Sequence, residues 1–471
     1  MTLREKDQHN RDILHAHFQH DTYPIFHEPY QSPQQRRYRN KVNVVFGKQQ
    51  NMKTGRDEVM VGVYHEKGSR LLRPIYKKEI ASNLAVQVSK YIEDWVRKYS
   101  QYEVYDFLKN EGLWRNFTIR ENHHRQVMII FHIHKHPDFE RWLIMEFPLL
   151  IQHIYLKSRQ LESDIPQYSS ADSLSNLNQD RSSESNGSLI DFITTLSSSS
   201  RSGSRSGSGS ETDSSTDADE EYVVPEIPFE LVSVYYQLSD TNREMMRNDE
   251  FQYFWGDHYM LENFSINEKD KNFAISPGAF FQINYYTAKK IYQTLANWIM
   301  SHPQYQLARD TGTPMNLWDL CCGTGIISIY LGDLFDHCIG IDCNSYGIED
   351  ANRNVRLNSY NSDKYRYICG KVEEVFADIY QSTPREGKSF IVINPPRRGL
   401  YPIVLDTIDR MTREINVPSI YYISCCVETL KRDLDYFAAK NTNYQVYQYI
   451  TIDQFPGTDH SEVIVELRKI D

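Results

Sequence analysis

From Asn316 onward the chain alternates short apolar runs with amphipathic stretches, and no other feature limits its fold as strongly. The runs are Asn316–Leu320, Cys338–Asp342, Tyr365–Cys369, Phe390–Asn394 and Ser419–Ser424. Helical patterns follow them over 325–335, 346–357, 371–380, 402–414 and 428–438. Strands alternating with helices pack as a parallel sheet covered on both faces, so the expected class is α/β, doubly wound. Tyr444–Asp453 and Glu462–Leu467 have no helix between them and are expected to close the end of the sheet as antiparallel strands. A helix at Ala288–Ile299 precedes the first run, which sets this domain at 285–471.

The first half has a different texture. Residues 1–35 are polar and patternless, and read as a disordered tail. Arg36–Ile80 carries a net charge of +8. It holds two strand-like pieces, Val42–Phe46 and Val59–Tyr64. Ile80–Lys98 is an amphipathic helix, with Leu84, Val88, Tyr91 and Trp95 at helical spacing. Trp114–Arg120 and Gln126–His134 form a hairpin, and Leu231–Leu238 is a further strand. Apolar stretches such as Val127–Ile133 and Leu143–Ile151 are strand-length. Between these pieces, residues 158–221 are rich in Ser and carry −8, too little apolar surface to offset the entropy of ordering. They read as a disordered insert in a mixed α+β domain made of 36–157 and 222–284.

That insert accounts for most of the total charge of −11, so the acidic balance does not argue against a nucleic-acid partner. No apolar run approaches the ~18 residues of a membrane span. Met1–Gln19 has no apolar signal core, and its carboxylates spoil a transit-peptide reading. All seven cysteines lie at or beyond Cys321, in an odd number with two adjacent pairs. That pattern disfavours a secreted disulfide framework and points to a reducing compartment. Cytosol or nucleus is the expectation, with the mitochondrion left open. No Cys/His spacing matches a zinc site.

The chemistry gathers at strand ends. Asp319-Leu320-Cys321-Cys322-Gly323-Thr324-Gly325 closes the first strand, and its glycines let a ligand approach the following helix. Asp342 ends the second strand, where a carboxylate accepts both hydrogens of a ribose diol. The pattern fits a dinucleotide as well as S-adenosylmethionine. Ser328 in place of a third glycine, with no phosphate-binding cation after it, favours the latter. Ile393-Asn394-Pro395-Pro396-Arg397 leaves the fourth strand rigidly and offers an amide to a planar ligand edge. Cys425 ends the fifth strand at the edge where ligands bind in open α/β sheets. Glu462 follows a Pro-Gly bend in Phe455–Glu462. Ser276–Asn284 sets Gln282 and Asn284 beside Phe280 and Phe281, in the manner of a lined site or a domain joint.

Together the motifs resemble the RNA uracil-5-methyltransferase family, above all its animal tRNA and mitochondrial members. The resemblance runs from Tyr38 to Leu467 outside the insert. It rests on S-P-x-x-F-F-Q-x-N, D-x-C-C-G-T-G, N-P-P-R-x-G-L, the S-C strand end, D-Q-F-P-x-T-x-H-x-E and Tyr38-Arg39-Asn40-Lys41. It implies a class I Rossmann-like methyltransferase domain behind an RNA-binding domain. The implied activity is S-adenosyl-L-methionine-dependent methylation of uridine C5, at T-loop position 54 of tRNA, through a covalent Cys–C6 adduct. Modification of mitochondrial tRNA or rRNA, or a catalytically weak RNA-binding homologue, are the alternatives. By the same resemblance Cys425 is the nucleophile and Glu462 the general base. Gln282, Cys321, Gly323, Gly325, Asp342 and Asn394 hold the cofactor. The implied partner is tRNA, or rRNA, with no metal and no membrane, and the expected state is a monomer. Two positions depart from the family. Asn394 stands where it usually has Asp, and Cys426-Val427 where it has Asn-Pro. An amide takes up no proton, so no acid–base role carries over to Asn394.

The chemistry explains the residue types. Uracil C5 is a poor nucleophile until a thiolate adds to C6, and a carboxylate must then remove the C5 proton. The base must also leave its stack, so the +8 segment and the 114–134 hairpin are expected to grip the RNA backbone. An amino-methyltransferase would carry an aromatic where Arg397 stands. A cytosine-5 RNA methyltransferase would carry cysteines on two strand ends.

Overall fold

The computed structural model describes residues 1–18, 24–50, 55–64, 72–77, 79–159, 226–239, 251–266, 269–382, 387–440 and 443–470. The Ser-rich insert expected at 158–221 lies almost wholly outside the described residues.

Period-two patterning builds the N-terminal layer. Its seven-stranded sheet runs in the order Leu72–Pro74, Asp57–Tyr64, Lys41–Gln50, Trp114–Glu121, Gln126–His134, Glu230–Ser239 and Gln252–Gly256. Val42, Val44, Phe46, Phe117, Ile129, Phe131 and Ile133 point to one face. There they pack under the helix Asn83–Tyr99 and the helix pair Phe139–Met145 and Phe147–Ser158. The alternate positions Lys41, Asn43, Arg115, Thr118 and His132 line an open cleft of about 1800 Å³ on the other face. The charged strand and the hairpin are therefore neighbours, as a shared RNA-facing surface requires. Leu143–Ile151, strand-like by length, is helical: Phe147, Leu150, Ile151 and Ile154 are buried at helical spacing, but the half-buried Pro148 and Leu149 between them make 147–151 apolar throughout and hide the period.

The C-terminal sheet has eight strands. Their order is Ile25–Phe26, Tyr444–Ile452, Glu462–Lys469, Ser419–Ser424, Lys388–Ile393, Met315–Leu320, His337–Asp342 and Tyr365–Cys369. The last five pair in parallel, and Glu462–Lys469 runs antiparallel to both of its neighbours. The doubly wound expectation and its antiparallel closure both hold. So do the strand boundaries to within about two residues, inside the usual uncertainty of element ends.

One expectation needs correction. The segment 1–35 is not a tail throughout, because Leu3–Leu14 is a helix with a Thr2 capping box and a fully buried Leu14. Its buried face is Lys6, Asp7, Asn10 and Leu14, so no apolar stripe marks it. Ile25–Phe26 then adds a strand beside Tyr444–Ile452. A further hairpin lies just before the expected boundary at 285. The hairpin Met260–Ile266 and Lys269–Ile275 puts Met260, Phe264, Phe273 and Ile275 into the core around the helix Tyr285–Ser301.

That hairpin is also bonded to the methyltransferase-like layer. The fully buried Asn354 side chain accepts the Ala274 N–H at 2.6 Å and donates to the Thr324 carbonyl at 3.0 Å. Asn354→Ala leaves both backbone groups without these partners and is expected to cost about 1–3 kcal/mol by denaturant unfolding. An unchanged midpoint would mean that this seam contributes nothing to stability.

Candidate active site

Each parallel strand delivers its last residue to one edge of the sheet. At the first strand the chain turns through left-handed backbone at Cys321 (φ 64°), Gly323 (φ 52°) and Gly325 (φ 71°). Asp319, fully buried beneath this loop, accepts the Ser328 N–H at 3.1 Å, and burial pushes its carboxyl up to about 7. Its other oxygen has no partner. Asp342 accepts the Gly323 N–H at 2.9 Å and the Asn344 N–H at 2.8 Å, which fixes the carboxylate at the loop's rim. A Cβ added at Gly323 would meet only the Phe280 carbonyl oxygen, at 4.0 Å. The left-handed loop, the free face of Gly323 and the rim carboxylate fit a ribose-bearing ligand. Asn394 is half-buried, and its N–H holds the Leu320 carbonyl at 3.2 Å, which keeps the double-proline loop beside the glycine loop.

The antiparallel strand supplies the opposite wall. Ser424 pairs with Val463, so the next step of the register sets Cys425 against Glu462. Glu462 is 3% exposed, and burial raises its carboxyl to about 8 against the opposing pull of the Arg397 guanidinium. Burial, reinforced by the Glu462 charge, raises the Cys425 thiol to about 12, and Arg397 again pulls the other way. Arg397 is therefore the cation that favours the ionised form of both groups. It lies over the Phe455 ring at 5.8 Å, and its carbonyl accepts the Thr429 hydroxyl at 3.0 Å. The N-P-P-R run contained it, but its partnership with Cys425 and Glu462 crosses three strand ends and has no local signal.

Cys426 turns away. Its thiol lies 3.2 Å from Glu428 Oε2, on the side of the N-terminal helix. The Gln282 amide oxygen accepts from Gln454 Nε2 at 2.9 Å, on the segment leading to Glu462. The Asn40 side chain donates to the Gln282 carbonyl at 3.0 Å, and the Asn40 N–H to the Ile283 carbonyl at 3.0 Å. Tyr38–Lys41 is thus stitched to the Phe280–Asn284 segment. The large cleft reaches Phe280 and Asn344 from the N-terminal side, and Cys425 and Glu462 do not line it. Among the described residues no cluster of three or more His, Cys, Asp or Glu is placed to hold a metal ion. No helix there is long and apolar enough to cross a membrane.

Residues 244–470 match the sequence model of a family described as tRNA (Uracil-5-)-methyltransferase. A putative RNA methyltransferase of Acanthamoeba polyphaga mimivirus is 35% identical over 212 residues, covering 44% of this chain and 51% of that protein. A tRNA (uracil(54)-C(5))-methyltransferase of Pyrococcus abyssi is 26% identical over 239 residues, covering 51% of this chain and 50% of that protein. The chain thus aligns with about half the length of these curated relatives. The crystal structure of the Pyrococcus abyssi tRNA (uracil-54, C5)-methyltransferase, in complex with S-adenosyl-L-homocysteine, superposes with a TM-score of 0.59 at 17% identity. That superposition covers 99% of this chain and 82% of that one, so the shared fold extends beyond the aligned sequence.

Glu462 has a pH signature. Its folded value, about 8, lies above the 4.5 of a free carboxyl, so between those values the folded state binds the extra proton. Stability from this group is therefore lost as pH rises from about 4.5 to about 8. Glu462→Gln abolishes the titration. The melting temperature of the variant relative to the parent is expected to climb between pH 5 and pH 8, in buffers of matched ionic strength. A constant difference would mean that Glu462 is ionised in the fold throughout.

Proposed function

We propose that this chain, whose residues 244–470 match the tRNA (uracil-5-)-methyltransferase family model, belongs to that family and methylates C5 of a uridine in RNA. The target that best fits the relatives is T-loop uridine 54 of tRNA. The observation that carries this reading is the register of the two strands in the site, which sets a thiol and a carboxylate side by side in the field of the Arg397 guanidinium. A nucleophile for C6 and a base for C5 must approach one flat ring together, and few other reactions need that pair at that spacing.

S-adenosyl-L-methionine, held by the Cys321–Gly325 loop and Asp342, supplies an electrophilic methyl group. The protein's own residues do the rest. Cys425 gives its proton to solvent and bonds to C6, and the electrons of the C5=C6 double bond move toward C4=O. Arg397 stabilises the thiolate before addition. C5 then takes the methyl group. Glu462, in its ionised form, removes the C5 proton, the double bond re-forms, and the Cys425–C6 bond breaks to return the thiolate. Asn394, at the end of the neighbouring strand, has an amide suited to hold the uracil edge but not to exchange its proton. Asp319, buried under the glycine loop, keeps that loop's helix in place through Ser328.

The N-terminal sheet presents Lys41, Arg115 and His132 to the open cleft, and it is the surface on which we place the RNA backbone. Lys41 is half-buried, and the nearby Arg120 first, then burial and Arg39, lower its ammonium to about 7. Such a site gains from an incoming phosphate. Its affinity for RNA is expected to fall with salt.

Purified protein tested on a uridine-containing tRNA transcript decides the assignment. Cys425→Ala is expected to give no methyl transfer, whereas Cys426→Ala keeps it, because the two thiols face different sides. Glu462→Gln should lower turnover by about 10²–10⁴-fold and accumulate a methylated RNA–protein adduct that resolves slowly. Transfer by Cys425→Ala at the parent rate would refute the covalent mechanism.

A further inference from the structure

We propose that the N-terminal helix, Leu3–Leu14, is a clasp on the segment that delivers Glu462, with Lys6 and Asn10 as positioning residues; this deepens the methyl-transfer reading above and rests on it. The loop Phe455–Ser461 joins the last two strands and ends at the candidate base. Lys6 and Asn10, one helical turn apart, hold its two ends. The Lys6 ammonium donates to Asp453 Oδ1 at 2.8 Å and to the Phe455 carbonyl at 3.1 Å, with Lys6 2% and Asp453 5% exposed. The Asn10 amide donates to Ser461 Oγ at 2.9 Å and to Thr451 Oγ1 at 3.3 Å. Between them Asp7 accepts from the Thr451 hydroxyl at 2.7 Å and the Tyr449 hydroxyl at 3.2 Å.

Each end of the loop leads to the chemistry. Ser461 is the residue before Glu462. Phe455, whose carbonyl Lys6 holds, carries the ring on which Arg397 lies. Arg397 is in turn the cation acting on Cys425 and Glu462. Gln454, between the Lys6 contacts, bonds Gln282. One buried ammonium thus sits behind the base, the guanidinium and the Gln282 segment at once. Simple coverage of the strand ends does not account for the residue types. Apolar side chains of similar volume would cover them without the desolvation cost of an ion pair, whereas the polar set fixes direction at several points.

The test uses the full chain as Lys6→Met/Asp453→Asn, which removes the ion pair without leaving a lone buried charge, together with Lys6→Arg and Asn10→Ala. The double variant is expected to lower kcat on a tRNA transcript about 10–100-fold, as sub-ångström to ångström misplacement does. KM for the RNA should stay within about twofold, the split that marks a loss confined to the reacting state. Lys6→Arg should restore most of the rate. Backbone amides of 454–462 should exchange with deuterium at least about tenfold faster in the double variant, while those of 419–424 are unchanged. If that variant does not fold, Asn10→Ala carries the same two expectations at the Ser461 end. Parent-like kcat together with parent-like exchange overturns the clasp. If the parent protein transfers no methyl group, the functional reading fails by itself, and the exchange of 454–462 still decides whether the helix holds the loop.

Discussion

In a doubly wound sheet every parallel strand brings its last residue to the same edge, and only an antiparallel strand brings its first. The rest of this site depends on that inversion. Glu462–Lys469 runs antiparallel beside Ser419–Ser424, so the carboxylate that opens one strand meets the thiol that ends the other. A parallel strand in that place would have carried Glu462 to the far edge. The sheet's closure, often a matter of covering an edge, is here what assembles the acid–base pair.

Burial then sets the electrostatic terms. Glu462 and Asp319 both sit in the fold with their carboxyls raised, to about 8 and about 7, because neither meets a direct cation at close range. Glu462 is thereby tuned near neutrality, the range in which a general base is most effective. Cys425 is held mainly as a thiol, and Arg397 is the one neighbour that pulls it toward the thiolate. Turnover at neutral pH therefore needs further positive charge or proton removal at the moment of addition. A sulfonium cofactor, if bound at the glycine loop, would supply such charge. Arg39 lies close enough to Arg397 for the two cations to repel, so the basic N-terminal segment and Arg397 share one field.

Much of this was legible in the amino-acid order. Short, mostly apolar runs at Met315–Leu320 and Ser419–Ser424 marked strands, every residue of which is buried, and the residues after them marked the edge. The divergence of Cys425 and Cys426 followed from their adjacency. What escaped notice did so for physical reasons. The helix Leu3–Leu14 buries Lys6, Asp7 and Asn10, so its inward face reads as solvated polarity until the partners Asp453, Thr451 and Ser461, some 440 residues away, are in place. The helix Phe147–Ser158 is apolar on too many sides to show a period.

The central claim is that Cys425 forms the bond to the base while Glu462 stands ready for the C5 proton. The measurement that reaches it most directly is peptide mapping by mass spectrometry after incubation with S-adenosylmethionine and a tRNA transcript carrying 5-fluorouridine, whose fluorine cannot leave as a proton does. The account predicts a stable adduct that contains the transferred methyl group and is attached at Cys425. An adduct at Cys426 or Cys321, or methylated RNA with no protein attached, would contradict it.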